Sequence, residues 1–215
     1  MTQAEFFIYL TPVILISLTL HEYSHGYAAF VLGDDTAKRY GRLTFNPLKH
    51  LDFLGTLFIV FFHFGWAKPV PVDPRNFAEP RRHMMFVALA GPAANLVLAL
   101  IAGFCARMIF LHFQTQVMLF DFFCVAVYVN VALAVFNLLP MFPLDGSSIL
   151  KGLVPESWAA KLTFLDRHFA VLLLGIFLMD RFANTGIFAR VLLLPVMFVV
   201  QFFTQEAFPT LISRI

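Results

Sequence analysis

Long apolar blocks constrain this chain more than any other feature of its sequence. Between Phe6 and Leu32 the only Asp, Glu, Lys or Arg is Glu22, and about 20 predominantly apolar residues are enough to cross a bilayer. Only 13% of all residues are charged and the mean hydropathy is +0.81, whereas a soluble domain carries roughly 25% charged residues. Because a normal water-facing surface cannot be built from this composition, we expect a membrane protein with the lipid bilayer as its solvent.

Further apolar blocks follow, separated by polar loops. Residues 84–113 and 117–139 are each long enough for a span, and 169–179 and 187–203 are taken as two more. The apolar stretch 54–66 is short, which favours a re-entrant or interfacial segment over a full crossing. The pattern predicts an all-α polytopic fold with about five transmembrane helices and one short segment, in a single integrated domain that covers the whole chain.

Lys and Arg residues are concentrated on one side of these predicted spans. Loops 33–50 and 65–83 carry four each, and 146–167 carries three. By the positive-inside rule these loops are cytoplasmic, so the N-terminus is expected outside and the C-terminus inside the plasma or inner membrane. The N-terminus lacks the basic region and cleavage pattern of a signal peptide, so we expect the first block to be retained.

The composition also bears on partners and on cysteine chemistry. A net charge of +2 without a basic stripe argues against a nucleic-acid partner. Cys105 and Cys124 lie in separate apolar stretches, where two buried thiols are favoured over a disulfide.

Alternating prolines mark the second basic loop, Lys68-Pro69-Val70-Pro71-Val72-Asp73-Pro74. The N–H groups missing from Pro69 and Pro71 fall on the same edge of an extended strand, so only the other edge can donate hydrogen bonds. This pattern predicts an edge strand that forms a small β-hairpin with residues 42–45 on the cytoplasmic side. A stiff surface loop is an equally open interpretation.

The motif with the clearest chemistry is His21-Glu22-Tyr23-Ser24-His25, inside the first span. Positions i and i+4 share one helix face, so both imidazoles can bind the same Zn²⁺. Glu22 points about 100° away and can take a proton from a metal-activated water without being a ligand. Ionisable groups inside a span are expensive and usually functional; the alternative is a polar patch that binds neighbouring helices.

A catalytic zinc site needs a third protein ligand, and Asp145 is the best candidate. It follows the third predicted span, where Pro140 and Pro143 break the helix and Asp145-Gly146 forms a turn. Taken alone, such a turn is more often an ordinary loop. The loop charges, however, independently place His21, His25 and Asp145 at the same cytoplasmic side.

In these motifs, together with Asn137 ahead of Pro140, Gly91-Pro92-Ala93-Ala94-Asn95 and the loop Gly65–Val72, the chain resembles the site-2 protease family of intramembrane zinc metalloproteases. The resemblance covers about residues 6–150 and implies a catalytic core there. The apolar spans beyond it are expected to be accessory membrane helices at about 160–206. It implies that His21, His25 and Asp145 hold one Zn²⁺ per chain and that Glu22 is the catalytic acid/base. It further implies that Asn137 holds the substrate or the developing oxyanion. Gly91 and Asn95 are expected to serve helix packing.

We therefore predict an intramembrane zinc metalloendopeptidase that acts on membrane-embedded substrate helices. Two alternatives are a membrane metal-ion transporter and a catalytically inactive scaffold. Visible inverted repeats, common in transporters, are missing from the sequence, and all the metal and base residues of a protease are present. The other histidines are not expected to be ligands, and three of them are expected at the membrane interface; the five are His50, His63, His83, His112 and His168.

Overall fold

The structure is a computed structural model that describes residues 3–62, 65–113, 115–183 and 196–202. The longer segments are helical. The helices are α1 (Gln3–Val31), α2 (Thr36–Arg39), α3 (Phe53–Phe62), α4 (Pro80–His112), α5 (Val117–Asn137), α6 (Asp145–Leu153) and α7 (Glu156–Ala183), with 3-10 turns at Pro47–Lys49 and Pro74–Asn76. Residues 196–202 are also helical.

Within the described part of the chain, three helices are long and apolar enough to cross a membrane. They are Glu5–Val31, Pro80–His112 and Val117–Asn137, and they coincide with the first three predicted spans. The predicted span 169–179 falls within α7, which is not among these three helices of the described part. The predicted span 187–203 lies largely outside the described residues. The protein is thus a mostly helical membrane protein.

The short apolar segment forms α3, which has ten residues. At 1.5 Å per residue it is about 15 Å long, roughly half the hydrocarbon thickness of about 30 Å. The Asp52 carboxylate accepts a hydrogen bond from the Gly55 N–H (2.8 Å) and so caps the start of this helix. A helix of this length cannot cross the bilayer by itself.

Helix α4 lies at the centre of the bundle and contacts α1, α5 and α6. Its face towards α5 is made of small buried residues, Ala99, Ala102 and Ala106, which pack with Val127 and Val131 of α5. Since lipid is as apolar as these side chains, close van der Waals packing between small residues is what joins helices in a bilayer. The alanines let α4 and α5 approach closely, and this approach positions the polar residues described below.

The predicted β-hairpin does not form among the described residues, and residues 68–73 contain no strand. A single isolated antiparallel bridge joins Leu51 to Ala67, and the Lys68 N–H donates to the His50 carbonyl (2.8 Å). His50, expected at the interface, is buried. Because the prolines remove donors from one edge only, the absence of a hairpin here follows from where the remaining donors bind.

The remaining donors of this proline-rich loop bind side chains instead of a neighbouring strand. The Val70 N–H donates to Oε2 of Glu22 (2.8 Å), and the Asp73 N–H donates to Oδ2 of Asp34 (2.8 Å). Residues 42–45 contribute a side chain, because Nη2 of Arg42 donates to the Lys68 carbonyl (2.6 Å). The loop is therefore held by two carboxylates, one on α1 and one just beyond it, and by the guanidinium of Arg42.

Asp34 is the polar hub that ties this loop to the end of α1. The helix ends at Val31, and the chain then turns at Gly33, whose φ of +109° lies in the region open to glycine. The fully buried Asp34 carboxylate accepts from the backbone N–H and hydroxyl of Thr36 and from Nδ2 of Asn76 (3.1, 2.5 and 2.6 Å). Burial alone would raise the pKa of Asp34, but these hydrogen bonds, led by that from Thr36, hold it below its usual range.

Replacing Asp34 by Asn should destabilise the protein, because an amide nitrogen would face donors that now bind a carboxylate. Leaving a buried donor without an acceptor costs about 1–3 kcal/mol. The measurement is thermal or denaturant unfolding of the purified protein in detergent. Asp35→Asn is the matched control: Asp35 is exposed and makes a surface ion pair with Arg39, so the free energy of unfolding should change by less than about 0.5 kcal/mol.

The difference between wild type and Asp34→Asn should also depend on pH. Because folding lowers the pKa of Asp34, its carboxylate stabilises the fold above the pKa of the unfolded chain. That stabilisation is lost as the pH falls through the lowered folded pKa. Unfolding measured at a series of pH values should therefore show the largest difference near neutrality and a narrowing difference in acid. A difference independent of pH would contradict this account.

Candidate metal centre

His21 and His25 lie one turn apart on α1, as the motif predicts, and both are buried. Their Nε2 atoms are 3.0 Å apart, and the two rings are nearly perpendicular, at 88°. Oδ2 of Asp145 is 3.2 Å from Nε2 of His21 and 3.4 Å from Nε2 of His25. Among the described residues, these three offer ligand atoms that all lie within 4.8 Å of one another.

Asp145 reaches the histidines because the chain reverses after α5. That helix ends at Asn137, and two prolines prevent it from continuing until α6 begins at Asp145. Gly146 is required by the close return of the chain, since a Cβ there would lie 2.5 Å from the carbonyl carbon of Leu139. The reversal lies in residues 141–144, so Asp145 and Gly146, predicted as a turn, are the first two residues of α6, and the carboxylate at this helix start reaches back into the bundle.

Gly91 of α4 provides the space in which the two imidazoles sit. A Cβ at this position would lie 2.7 Å from Cε1 of His21 and 2.5 Å from Cε1 of His25, closer than real Cβ contacts allow. The sequence indicated only that a small residue lets helices approach. The structure shows that the approaching atoms are those of the candidate metal ligands.

Two oxygen atoms of α4 fix the orientation of the imidazoles. Nδ1 of His25 is 2.7 Å from the carbonyl oxygen of Val87, and Nδ1 of His21 is 2.6 Å from Oδ1 of Asn95. Since both oxygens accept hydrogen bonds, each Nδ1 carries the proton and each Nε2 is left with a lone pair. The contact between Asn95 and His21 goes beyond the packing role predicted for Asn95. The available signal was the four-residue spacing of Gly91 and Asn95, which places both on one face of α4.

These donor atoms fit a zinc ion. Two unprotonated Nε2 atoms face each other, and beside them Oδ2 of Asp145 is buried without a hydrogen-bond donor among the described residues. Three electron-pair donors converging on one point without a proton or cation between them would be unfavourable. Two imidazoles and one carboxylate are a known ligand set for catalytic zinc, with a fourth position open. Outer hydrogen bonds to both histidines are typical of such sites.

Glu22 lies beside this cluster and not within it. It follows His21 on α1, is half-buried, and has one oxygen held by the Val70 N–H. The buried Arg42 is close enough to feel its charge: burial lowers the pKa of the Arg42 guanidinium, and the negative charge of Glu22 opposes that shift. A carboxylate held in this way is available for proton transfer.

The other residues considered in the sequence analysis, Asn137 and the remaining histidines, lie outside the three-ligand cluster where the structure describes them. Asn137 is the last residue of α5, and its Nδ2 donates to the Leu133 carbonyl one turn back (2.9 Å). Nε2 of the buried His50 donates to the Thr44 carbonyl of its own loop (2.8 Å). His63 lies outside the described residues. In the part of the chain that is described, none of the other histidines joins the three-ligand cluster.

Comparisons with known proteins find similarity to zinc metalloproteases and to a peptidase family. The model of peptidase family M50 matches residues 107–179. A protein of Bacillus subtilis with the name "Putative zinc metalloprotease YwhC" is 41% identical over 174 residues, which cover 79% of this chain and 80% of that protein. A protein of Mycolicibacterium smegmatis with the name "Putative zinc metalloprotease Rip2" is 32% identical over 152 residues, 68% of this chain and 58% of that protein. No solved structure matches the chain.

Gly91→Ala should weaken zinc binding, because the added methyl group displaces the imidazoles from their shared point. By analogy with other changes next to metal ligands, we expect at least about a tenfold loss of zinc affinity. The measurement is zinc titration against a competing chelator. Gly175→Ala is the matched control: a Cβ there meets no atom within 4 Å, so zinc affinity should not change. Equal affinities in the two variants would contradict the close packing at Gly91.

Proposed function

The chain belongs to peptidase family M50, the site-2 protease family, and is an intramembrane zinc metalloprotease; from this premise we propose how its residues cleave a membrane-embedded peptide. His21, His25 and Asp145 hold one zinc ion, and Glu22 is the acid/base. The observation that carries this proposal is the convergence of both Nε2 atoms and Oδ2 of Asp145 on one buried point. The substrates are segments of transmembrane proteins or peptides.

Zinc, when bound, supplies a Lewis acid that polarises a carbonyl and acidifies a water molecule. The protein supplies the proton transfers. Glu22 accepts a proton from the attacking water and delivers it to the amide nitrogen of the leaving peptide. The hydrogen bond from the Val70 N–H keeps the Glu22 carboxylate in place while it does so.

The substrate must be unwound before it can react, because the peptide bonds of a helix are shielded by their own i to i−4 hydrogen bonds. Asn137 stands where α5 ends, close in sequence to Asp145. In the role we propose, its Nδ2 exchanges the Leu133 carbonyl for an oxygen of the substrate. An amide donor aimed at the developing oxyanion would lower the barrier to attack.

We also propose the arrangement of the chain in the membrane. Five spans, with the N-terminus outside, place the catalytic residues at the cytoplasmic side of the plasma or inner membrane. Two observations support this. The basic residues crowd the loops around 33–50 and 65–83. His25 lies near the end of the first span and Asp145 follows the third, and alternate spans run in the same direction. The core at 6–150 and the accessory helices at 160–206 form one domain in this proposal.

Glu22→Gln should abolish cleavage and leave zinc binding intact. The amide keeps the size of the side chain but cannot take the proton, and loss of a general base costs about 10²- to 10⁴-fold in rate. The measurement is cleavage of a model membrane-helix substrate by purified protein, with zinc quantified in each sample. Glu79→Gln is the matched control, because Glu79 lies on the surface and pairs with Arg82; it should cleave normally. Cleavage by Glu22→Gln at the wild-type rate would remove Glu22 as the base, and loss of zinc would make it a ligand.

The proposed orientation predicts which loops react with a membrane-impermeant maleimide on intact cells. In a background with Cys105 and Cys124 replaced, Gln116→Cys should be labelled directly, because the loop before α5 faces outward. Tyr40→Cys should be labelled only after the membrane is permeabilised. Both positions are exposed, so access to the reagent decides the result. The reverse pattern would place the catalytic side outside the cell.

A further inference from the structure

Two asparagine side chains and one histidine side chain form a buried series of hydrogen bonds across the bundle. Asn130, in the middle of α5, contacts Asn95 of α4, which contacts His21 of α1. We propose that Asn130 is a positioning residue that sets which ring nitrogen of His21 carries the proton, and thereby prepares this histidine to bind metal. This inference rests on the proposed ligand role of His21.

The order of donors and acceptors along this series of hydrogen bonds is set at Asn130. Nδ2 of Asn130 is 2.9 Å from the backbone carbonyl of Ala126, and a carbonyl oxygen can only accept. Oδ1 of Asn130 therefore faces Asn95 and accepts from its Nδ2 at 2.9 Å. That leaves Oδ1 of Asn95 to face Nδ1 of His21 at 2.6 Å.

This order of donors and acceptors determines which nitrogen of His21 carries the proton. Because Oδ1 of Asn95 accepts, Nδ1 of His21 carries the proton and Nε2 keeps its lone pair. If the Asn95 amide turned over, its NH₂ group would face Nδ1, and the proton would move to Nε2, where a metal could not bind. The turned amide would also place two oxygens against each other at Asn130, so Asn130 opposes that state.

Because both asparagines are buried, water cannot replace a hydrogen-bond partner that is lost when an amide turns over. Asn95 is 0% exposed and Asn130 is 3% exposed, and both lie at membrane depth, where water does not replace a missing partner. Nδ2 of Asn95 has one other acceptor, the Ser17 carbonyl, but at 3.4 Å. This long contact holds the amide weakly, so the bond to Asn130 is the main restraint on its orientation.

The first test is zinc affinity of the purified full chain in detergent, measured by competition with a chelator. Asn130→Leu removes the restraint on Asn95 and should weaken zinc binding by about 10- to 100-fold, the usual effect of losing an outer partner of a metal ligand. Thr163→Val is the matched control: it removes a side-chain hydrogen bond to a carbonyl one turn back, in α7 and outside the proposed site. Its zinc affinity should equal that of wild type.

A second substitution separates orientation from general loss of structure. Asn95→Asp introduces a carboxylate, which only accepts hydrogen bonds and therefore fixes the proton on Nδ1 in either rotamer. Added to Asn130→Leu, it should restore most of the zinc affinity, and the double variant should bind better than Asn95→Asp alone, in which Oδ1 of Asn130 faces a carboxylate oxygen. A purely structural role for Asn130 predicts no rescue.

The third measurement needs neither zinc nor activity. In the metal-free protein labelled with ¹⁵N-histidine, the ring nitrogens of His21 should report a proton on Nδ1 in wild type and on Nε2 in Asn130→Leu. An unchanged proton position, or an unchanged zinc affinity in Asn130→Leu, would overturn the proposal. If wild type itself bound no zinc, the proposed ligand role would fail, while the ¹⁵N signals would still decide whether Asn130 sets the proton position.

Discussion

The rest of the structure is arranged around one constraint of the proposed zinc site: His21 and His25 of α1 must both turn an unprotonated nitrogen to the same point inside an apolar bundle. An imidazole does this only if its other nitrogen has an acceptor, and α4 provides both acceptors, the Val87 carbonyl and Asn95. These two positions stand eight residues apart on one face, with Gly91 midway between them. The same face of one helix thus supplies the acceptors and the space for the rings, which explains why α4 occupies the centre.

The carboxylate is brought to this point by contacts with α4 and α7. Helix α6 packs against α4, where Gly152 lies so close to Met85 that a Cβ would come within 2.8 Å of its Sδ. On its other side, Lys151 forms an ion pair of 2.5 Å with Asp166 of α7, and both side chains are mostly buried, so the pair is screened little by solvent. Asp145 at the start of α6 is therefore held by a short helix that is itself fixed on two sides.

Interactions between residues close in the sequence could be predicted, whereas those that depend on how the helices pack could not. The pairing of His21 with His25 is local and follows from helix geometry alone, and Asp145 could be found because prolines and loop charges are visible in the sequence. The chain from Asn130 to His21 could not be predicted, since it depends on how three helices are rotated about their axes. In water the apolar stripe of a helix reveals that rotation, but in lipid the outward face of α5 is as apolar as the inward one.

The hydrogen-bond partners of the proline-rich loop could not be predicted from the sequence either, because they also depend on tertiary contacts. Its pattern predicted an edge strand that donates from one edge, but residues 68–73 contain no strand. The observed donors are the N–H groups of Val70 and Asp73, and their acceptors are single carboxylates on and just beyond α1. A strand partner would have taken the Val70 N–H for its own backbone. Left unpaired, that N–H can bind Glu22, which lies within an apolar helix and needs a donor that does not neutralise it. The backbone N–H holds the Glu22 carboxylate in place without transferring its own proton, which suits the proton transfer proposed for this residue.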